Sequence, residues 1–241
     1  MTDWAVITTL NEQASIGLLV AALRESGLEV VVVDDGSEDD TIYVARNAGA
    51  HVIAHTLRTG IGPSLVEGWR RALQDKPEHV VQLDAGGSHD PKHIAHMIHR
   101  LRWAEVVVGS RFVSGAVYEG NIKRAALSRL AATACNVKQF HAITGISDWT
   151  SGYRAFRPDA LRRLARVDYT ATMHGWQIEV LRAALRMGMR IDEAPIHYTA
   201  GRSSFNRRVA REAFGVWRRM DVSAQASMRP VISEKGDGLW K

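Results

Sequence analysis

The sequence predicts an α/β fold: one domain built on a mixed, mostly parallel sheet flanked by helices. Three observations predict it. Apolar strand-like runs alternate with helical stretches through the first half of the chain. The run Val30-Val31-Val32-Val33 reads as a strand buried on both faces and ends in Asp34-Asp35-Gly36-Ser37. A second run, Val80-Val81-Gln82-Leu83, ends in Asp84-Ala85-Gly86-Gly87. Open α/β sheets bind ligands outside the carboxyl ends of their strands. Two buried strands presenting acids at one edge therefore point to a nucleotide or metal-phosphate site, where either alone could be a turn.

The elements follow in order. Ala5 to Thr8 reads as a strand, followed by Asn11-Glu12 and a helix from Ser15 to Glu25. A strand over Leu28 to Val33 precedes a helix from Asp39 to Asn47 and a strand at His51 to Ala54. The loop Arg58 to Pro63 opens a helix to Leu73, with Pro63 in its first turn. After the strand Val80 to Leu83, His89-Asp90-Pro91 enters a helix to Arg102, and Val106 to Val108 forms a strand ending at Gly109-Ser110-Arg111. Then come a helix over Lys123 to Val137, an irregular connection to Asp148, and the loop Thr150 to Arg154. Helices at Pro158 to Arg166 and Gln177 to Met187 follow; Ile178, Leu181 and Leu185 recur at helical spacing in the second. Arg190 to Tyr198 reads as a strand and Arg207 to Met220 as a basic helix. The expected division is a domain over 1–222 and a polar tail over 223–241.

At 241 residues and 46% hydrophobic composition, the chain can bury a full core and is not a disordered sequence. Its net charge of +5, with arginines crowded between Arg154 and Arg219, favours anionic partners, although solvated helix faces carry such charges as well. The single cysteine, Cys135, excludes an internal disulfide. Met1-Thr2-Asp3-Trp4 lacks the basic-then-apolar pattern of a secretory leader. No apolar run approaches the ~20 residues that span a bilayer. The expected location is cytoplasmic, at most peripheral to a membrane.

In order and spacing, several motifs resemble family 2 glycosyltransferases of the GT-A fold, nearest the dolichyl- or polyprenyl-phosphate mannosyltransferases. They are Thr9-Leu10-Asn11-Glu12, Val33-Asp34-Asp35-Gly36-Ser37, Leu83-Asp84-Ala85, Val108-Gly109-Ser110-Arg111, Asp148 through Arg154, Gln177-Ile178-Glu179 and Arg202-Ser203-Ser204-Phe205. The resemblance spans Ala5 to Arg211. It implies an inverting enzyme that moves a hexose from a nucleoside-diphosphate sugar, GDP- or UDP-linked, to an acceptor.

The resemblance also implies roles. Thr9, Asn11, Glu12, Asp34, Asp35, Asp84, Ala85 and Gly86 would form the donor site. Asp84 takes the first place of an Asp-x-Asp motif whose carboxylates hold Mg²⁺ or Mn²⁺ against the diphosphate. Here the sequence departs from the pattern, because Gly86 replaces the second acid and Ser88 is the downstream polar position. His89 and Asp90 could substitute, or Asp90-Pro91 could simply start a helix. His93, His96 and His99 read as surface or packing residues. Arg111 and Arg124 match phosphate-gripping positions, with Ser128 one turn beyond Arg124. Arg202 would close over the diphosphate from a loop. Gln177 and Glu179 fall on the acceptor side, with an ion pair to Arg182 the alternative for Glu179. Asp148 is either a catalytic carboxylate or a turn-former.

The acceptor decides what else the site needs. An ionised lipid phosphate needs only cations to position it, whereas a hydroxyl needs a carboxylate base. Arg111 and Arg124 favour the first and Asp148 keeps the second open. The apolar stretch Ala125 to Ala134 suits an interfacial helix and hence peripheral membrane contact. A hydroxyl on nucleic acid, protein or glycan is the alternative acceptor, and no nucleic-acid motif supports the first of these. A nucleotide-sugar-binding module without activity is the third reading, motivated by Gly86.

Overall fold

The structure, a computed structural model, describes residues 2–140, 145–200 and 207–219, with side chains apart from those of 138–140 and 207–210. Strands β1 (Trp4–Thr9), β2 (Glu29–Asp34), β3 (His51–Ala54), β4 (Val80–Asp84), β5 (Val106–Ser110), β7 (Arg154–Phe156) and β8 (Ile191–Pro195) form one sheet in the order β3-β2-β1-β4-β7-β5-β8. All neighbours are parallel except β7, which runs antiparallel between β4 and β5. A small parallel pair, β6 (Val117–Glu119) and β9 (His197–Thr199), stands beside it.

Alternation along the strands sorts the core into two layers. In β2, Val30 and Val32 face one layer and Val31 and Val33 the other, all at 0% exposure. The first layer is completed by α1 (Ile16–Glu25), α2 (Thr41–Asn47) and α4 (Ile94–Arg100). The second is completed by α3 (Ile61–Gln74), α5 (Ile122–Phe140), α6 (Pro158–Leu164), α7 (Gly175–Arg186) and α8 (Arg207–Arg218), around Trp69, Trp149 and Trp176. Each such buried valine contributes about 1.5–3 kcal/mol, so the valine run anchors an interior strand, held between β1 and β3.

Strand–helix alternation set the parallel half correctly, and the structure differs from expectation at four places. Thr150 to Arg154 does not remain a loop throughout: Arg154 begins β7, whose three residues are too short to show periodicity. Val117–Glu119 is likewise a strand that composition did not reveal. The strand expected over Arg190 to Tyr198 is split, because Pro195 ends β8 and the chain leaves the main sheet to pair with β6. The helix expected after Asp90-Pro91 begins as a 3₁₀ turn, Pro91–His93, capped by the Asp90 side chain. The tail over 223–241 lies outside the described residues.

Candidate active site

The carboxyl ends of β1, β2, β4 and β5 meet at one edge, where the order reverses between β1 and its neighbours β2 and β4. This edge carries the donor motifs, and the fold commits several of their acids to its own architecture. Asp34 is fully buried: Oδ1 accepts from the Gly36 and Ser37 N–H groups and Oδ2 from Ser37 Oγ. Asp34 therefore builds the turn. Asp35 accepts from Thr59 N–H (2.7 Å), Thr59 Oγ, Gly60 N–H and Ser64 Oγ, and faces His55 Nδ1 at 3.1 Å. Burial alone would raise the Asp35 carboxyl, but the bonds from Thr59, His55 and Gly60 hold it below the ordinary range. On its other side, His55 Nε2 stands 2.8 Å from the accepting Glu67 carboxylate, and the two carboxylates raise His55 despite burial. Asp35 thus fixes the 55–60 loop along the donor edge.

Asn11 sits at φ 55, where its N–H donates to Ser37 Oγ and its Oδ1 accepts from Glu38 N–H. It ties the β1 loop to the β2 turn and sets the position of Glu12. Thr9 is buried, with its hydroxyl unpaired, and Ala85 is buried in the first core layer.

Asp84 stays available, with its side chain 55% exposed. Its N–H donates to Nδ1 of His89, a fully buried imidazole that stacks on Tyr153 and that burial holds below its ordinary pKa. His89 is therefore neutral, with Nδ1 accepting, and serves as the anchor of the Asp84 turn. Asp90 is spent on capping Lys92 N–H. Neither residue substitutes for the missing motif acid. His93 accepts from His197 N–H, a packing role as expected. Gly152 closes the other side: a Cβ there would stand 3.0 Å from Asp84 Oδ1 and 3.3 Å from Gln177 Nε2. Gln177 accordingly lies beside Asp84, buried in the first turn of α7. Glu179 is not brought to either site, since its carboxylate accepts from the Thr170 and Ala171 N–H groups.

The end of β5 delivers Arg111 to Asp148. Arg111 Nε and Nη2 donate to the two Asp148 oxygens at 2.7 and 2.6 Å, Nη2 also reaches Thr150 Oγ, and the guanidinium packs between Phe112 and Tyr198. Asp148 has 0% exposure; burial would raise its carboxyl, but Arg111 holds it well below the usual range. Glu193 accepts from Ser147 and Asp148 N–H and positions this loop. Burial raises its carboxyl in turn. Sequence reasoning missed Glu193, although two acids inside the apolar strand β8 were a signal. Gly152 and Tyr198 stood in quoted or neighbouring segments without an assigned role, and His89 was read as a possible substitute for the motif acid rather than as the anchor of the Asp84 turn.

Beyond Arg111 opens a cavity of about 380 Å³, whose polar lining is Arg111, Arg124, Ser128 and Thr150 with Tyr118 and Tyr198. Its remaining wall is apolar, with Leu127, Ala131, Ala134 and Cys135 of α5, Ile178 of α7, and Ala213, Phe214 and Trp217 of α8. Trp217 Nε1 donates to Ala134 O and pins α8 over it. Arg124 and Ser128 thus line the same cavity as Arg111. Arg202 lies outside the described residues.

The profile of glycosyl transferase family 2 matches residues 4–164. The chain belongs to that family. Among curated relatives, it is 32% identical over 202 residues to an undecaprenyl-phosphate mannosyltransferase of Micrococcus luteus, covering 80% of this chain and 82% of that protein. It is 29% identical over 204 residues to a polyprenol monophosphomannose synthase of Mycolicibacterium smegmatis, covering 80% and 76%. Among solved structures, glucosyl-3-phosphoglycerate synthase from Mycobacterium tuberculosis in complex with phosphoglyceric acid superposes with a TM-score of 0.67 at 20% identity, covering 90% and 78%. The same synthase with Mn²⁺ and UDP-glucose gives 0.67 at 21% identity, covering 89% and 76%. The family 2 fold is thus GT-A, with the expected mostly parallel sheet, and the chain is a glycosyltransferase.

The Asp84 corner of this glycosyltransferase fits a hard divalent cation that shares its coordination with substrate. Asp84 is exposed at the strand end, Gly86 leaves room beside it, and oxygen is the donor such ions prefer. Among the described residues no three metal-ligating side chains converge, so the protein offers no closed cage. Among them too, no helix is long and apolar enough to cross a membrane.

Proposed function

We propose that the protein transfers a hexose, with inversion, from a nucleoside-diphosphate sugar to a polyprenyl phosphate. The observation that carries this is the cavity beside Arg111, whose lining joins two arginines and several hydroxyls to a larger number of apolar side chains. A prenyl phosphate has that polarity, with an anion at one end and hydrocarbon beyond. Guanidinium forks suit phosphate oxygens. The mannosyltransferase names of the two curated relatives support mannose as the hexose and prenyl phosphate as the acceptor.

The state of Asp148 supports the same acceptor. A hydroxyl acceptor needs a base near neutral pKa within reach of its proton. Asp148 is buried, bonded at both oxygens to Arg111 and held well below the usual carboxylate range, which makes it a poor proton acceptor. An ionised phosphate needs no base. Arg111, fixed by Asp148, and Arg124, reaching from α5, would orient the phosphate oxygen for attack on the anomeric carbon, opposite the departing diphosphate. Asp84 and the Gly86 corner would hold Mg²⁺ or Mn²⁺, which offsets the charge gathering on the leaving group. Gln177 and Gly152 shape the floor between donor and acceptor sides.

Peripheral contact with a membrane belongs to the same proposal. Leu127, Leu130 and Val137 form one stripe on α5 and are 48%, 66% and 61% exposed, and Phe214 on α8 is 60% exposed. Exposed Lys123, Arg129 and Arg211 border them, an arrangement suited to an interfacial helix. The experiment is transfer from GDP-mannose, with UDP-glucose and UDP-mannose in parallel, to a short prenyl phosphate in detergent and in vesicles. Product with prenyl phosphate and none with the free prenol is expected. Donor hydrolysis without transfer to any prenyl phosphate would overturn the acceptor assignment.

A further inference from the structure

Gly86 removes the second acid of the metal motif, and the structure shows what stands at its place. A Cβ built on Gly86 would lie 3.5 Å from Glu12 Oε1, a carboxylate from the loop between β1 and α1. Several bonds aim it there. Asn11 fixes the preceding backbone against Ser37 and Glu38, and Glu12 N–H donates to Thr41 Oγ. Ser15 Oγ donates to Glu12 Oε2 at 2.9 Å, leaving Oε1 on the side of Gly86.

We propose that Glu12 supplies from this second loop the carboxylate that the motif lacks at position 86, so that Asp84 and Glu12 together receive the divalent cation accompanying the nucleoside diphosphate. The role rests on the donor chemistry proposed above. Mg²⁺ and its close analogues are commonly held by one or two carboxylates plus substrate phosphates and waters. A shared ion of that kind does not require its acids to be neighbours in sequence. The Asp84 carboxylate lies against Gly152, and Glu12 Oε1 lies against Gly86, two residues on from Asp84. Were Glu12 instead a contact to base or ribose, its charge would matter equally with and without metal.

The test is Mn²⁺ binding, followed by electron paramagnetic resonance and calorimetry, in the presence of GDP and separately of UDP. Glu12→Gln keeps the side-chain shape and is expected to weaken nucleotide-dependent Mn²⁺ binding by roughly tenfold, since affinity at such sites follows ligand charge. Metal-free nucleotide affinity should stay unchanged. Gly86→Asp in the Glu12→Gln background should restore Mn²⁺ binding, because the 3.5 Å separation is ordinary contact and admits the side chain. Unchanged Mn²⁺ affinity in Glu12→Gln, or equal losses with and without metal, would overturn the proposal. If Glu12→Gln does not fold, Gly86→Asp is compared in the unaltered chain and in Glu12→Asp. A gain that is larger in Glu12→Asp supports coupling at one ion, and equal gains overturn it. These readouts need no acceptor, so a failure of prenyl-phosphate transfer alone leaves them standing. Absence of any nucleotide-dependent Mn²⁺ binding in the unaltered protein would overturn this proposal together with the metal-assisted donor chemistry.

Discussion

Replacing Arg124, Arg111 and Asp148 one at a time separates an acceptor phosphate from an acceptor hydroxyl, because the structure gives the three side chains different duties. Arg124 is half-buried at the mouth of the cavity. Arg124→Ala should cost one charge-assisted contact to phosphate, about 1.5–3 kcal/mol, or roughly tenfold to a hundredfold in acceptor KM. Its melting temperature should hardly move. Arg111→Ala also leaves Asp148 buried without its partner. Breaking a buried pair from one side costs about 3–5 kcal/mol. In a domain of this size that lowers Tm by roughly 6–20 °C. Asp148→Asn keeps the shape but loses the charge that fixes Arg111, so acceptor KM should rise and Tm should fall, with kcat at saturating acceptor within several-fold of the starting protein. The assay is initial rate against prenyl phosphate concentration, paired with a thermal melt of each variant. A general base behaves differently: its loss costs about 10²–10⁴ in kcat. Asp148→Asn with kcat reduced by that much, and with acceptor KM and Tm intact, would refute the phosphate mechanism.

Two further outcomes follow from the donor edge. His55 is raised above 6.5 by Glu67 and Asp35, so its contribution is fully present below pH 6.5 and is lost as pH rises through the folded value; Asp35, held below 3.8, contributes above 3.8 and loses its share only as pH falls through its folded value. Hydrogen exchange of residues 55–60 should therefore quicken on the alkaline side, and His55→Gln should flatten that dependence. Gly152→Ala places a methyl 3.0 Å from Asp84 Oδ1, and is expected to lower turnover at least tenfold through a displaced Asp84, an effect of about 1.4 kcal/mol; unchanged kcat and unchanged metal response would show that the turn yields freely.

What the sequence made legible was the part of the site carried by long periodic elements. Val30 to Val33 announced a central strand, and a central strand in a parallel sheet places its terminal acids at the ligand edge. Arg111 and Arg124 were marked by the family resemblance, and Ser128 by lying one helical turn beyond Arg124. What each acid does there was not legible: Asp35 is engaged across 24 to 29 residues by Thr59, Gly60 and Ser64, and Asp34 is taken up by its own turn. Sequence spacing likewise paired Gln177 with Glu179, yet one lies beside Asp84 and the other holds a backbone loop. A difference of two residues on a helix turns the side chain by about 200°, so neighbours in a motif need not share a site. The antiparallel strand β7 escaped for another reason. Its three residues carry Arg154, a buried guanidinium that donates to Ser151 O, Trp149 O and Gln177 O, and a charged residue in a short segment reads as loop.

The likeness to glucosyl-3-phosphoglycerate synthase is one of fold, and the lining of the cavity argues for a different acceptor. Phosphoglyceric acid, present in that synthase's complex, bears a phosphate and a carboxylate close together, so a site for it needs cations or donors along the whole molecule. Here the polar lining is Arg111, Arg124, Ser128 and Thr150 with Tyr118 and Tyr198, and the rest of the wall is built from alanines, Cys135, Leu127, Ile178, Phe214 and Trp217. A second anion pressed against that wall would lose its hydration without gaining a partner, at a cost of several kcal/mol. Hydrocarbon meets no such penalty and gains about 25 cal/mol for each Å² of apolar surface removed from water. The wall comes from α5 and α8, helices that pack across the sheet's second layer and are joined by the bond from Trp217 to Ala134. Changing those helices changes the acceptor while the strand-end donor machinery stays in place. Phe214→Glu, aimed into the apolar wall, should therefore abolish use of prenyl phosphate while donor binding measured by thermal shift persists. Transfer at an undiminished rate would place the lipid chain elsewhere on the protein.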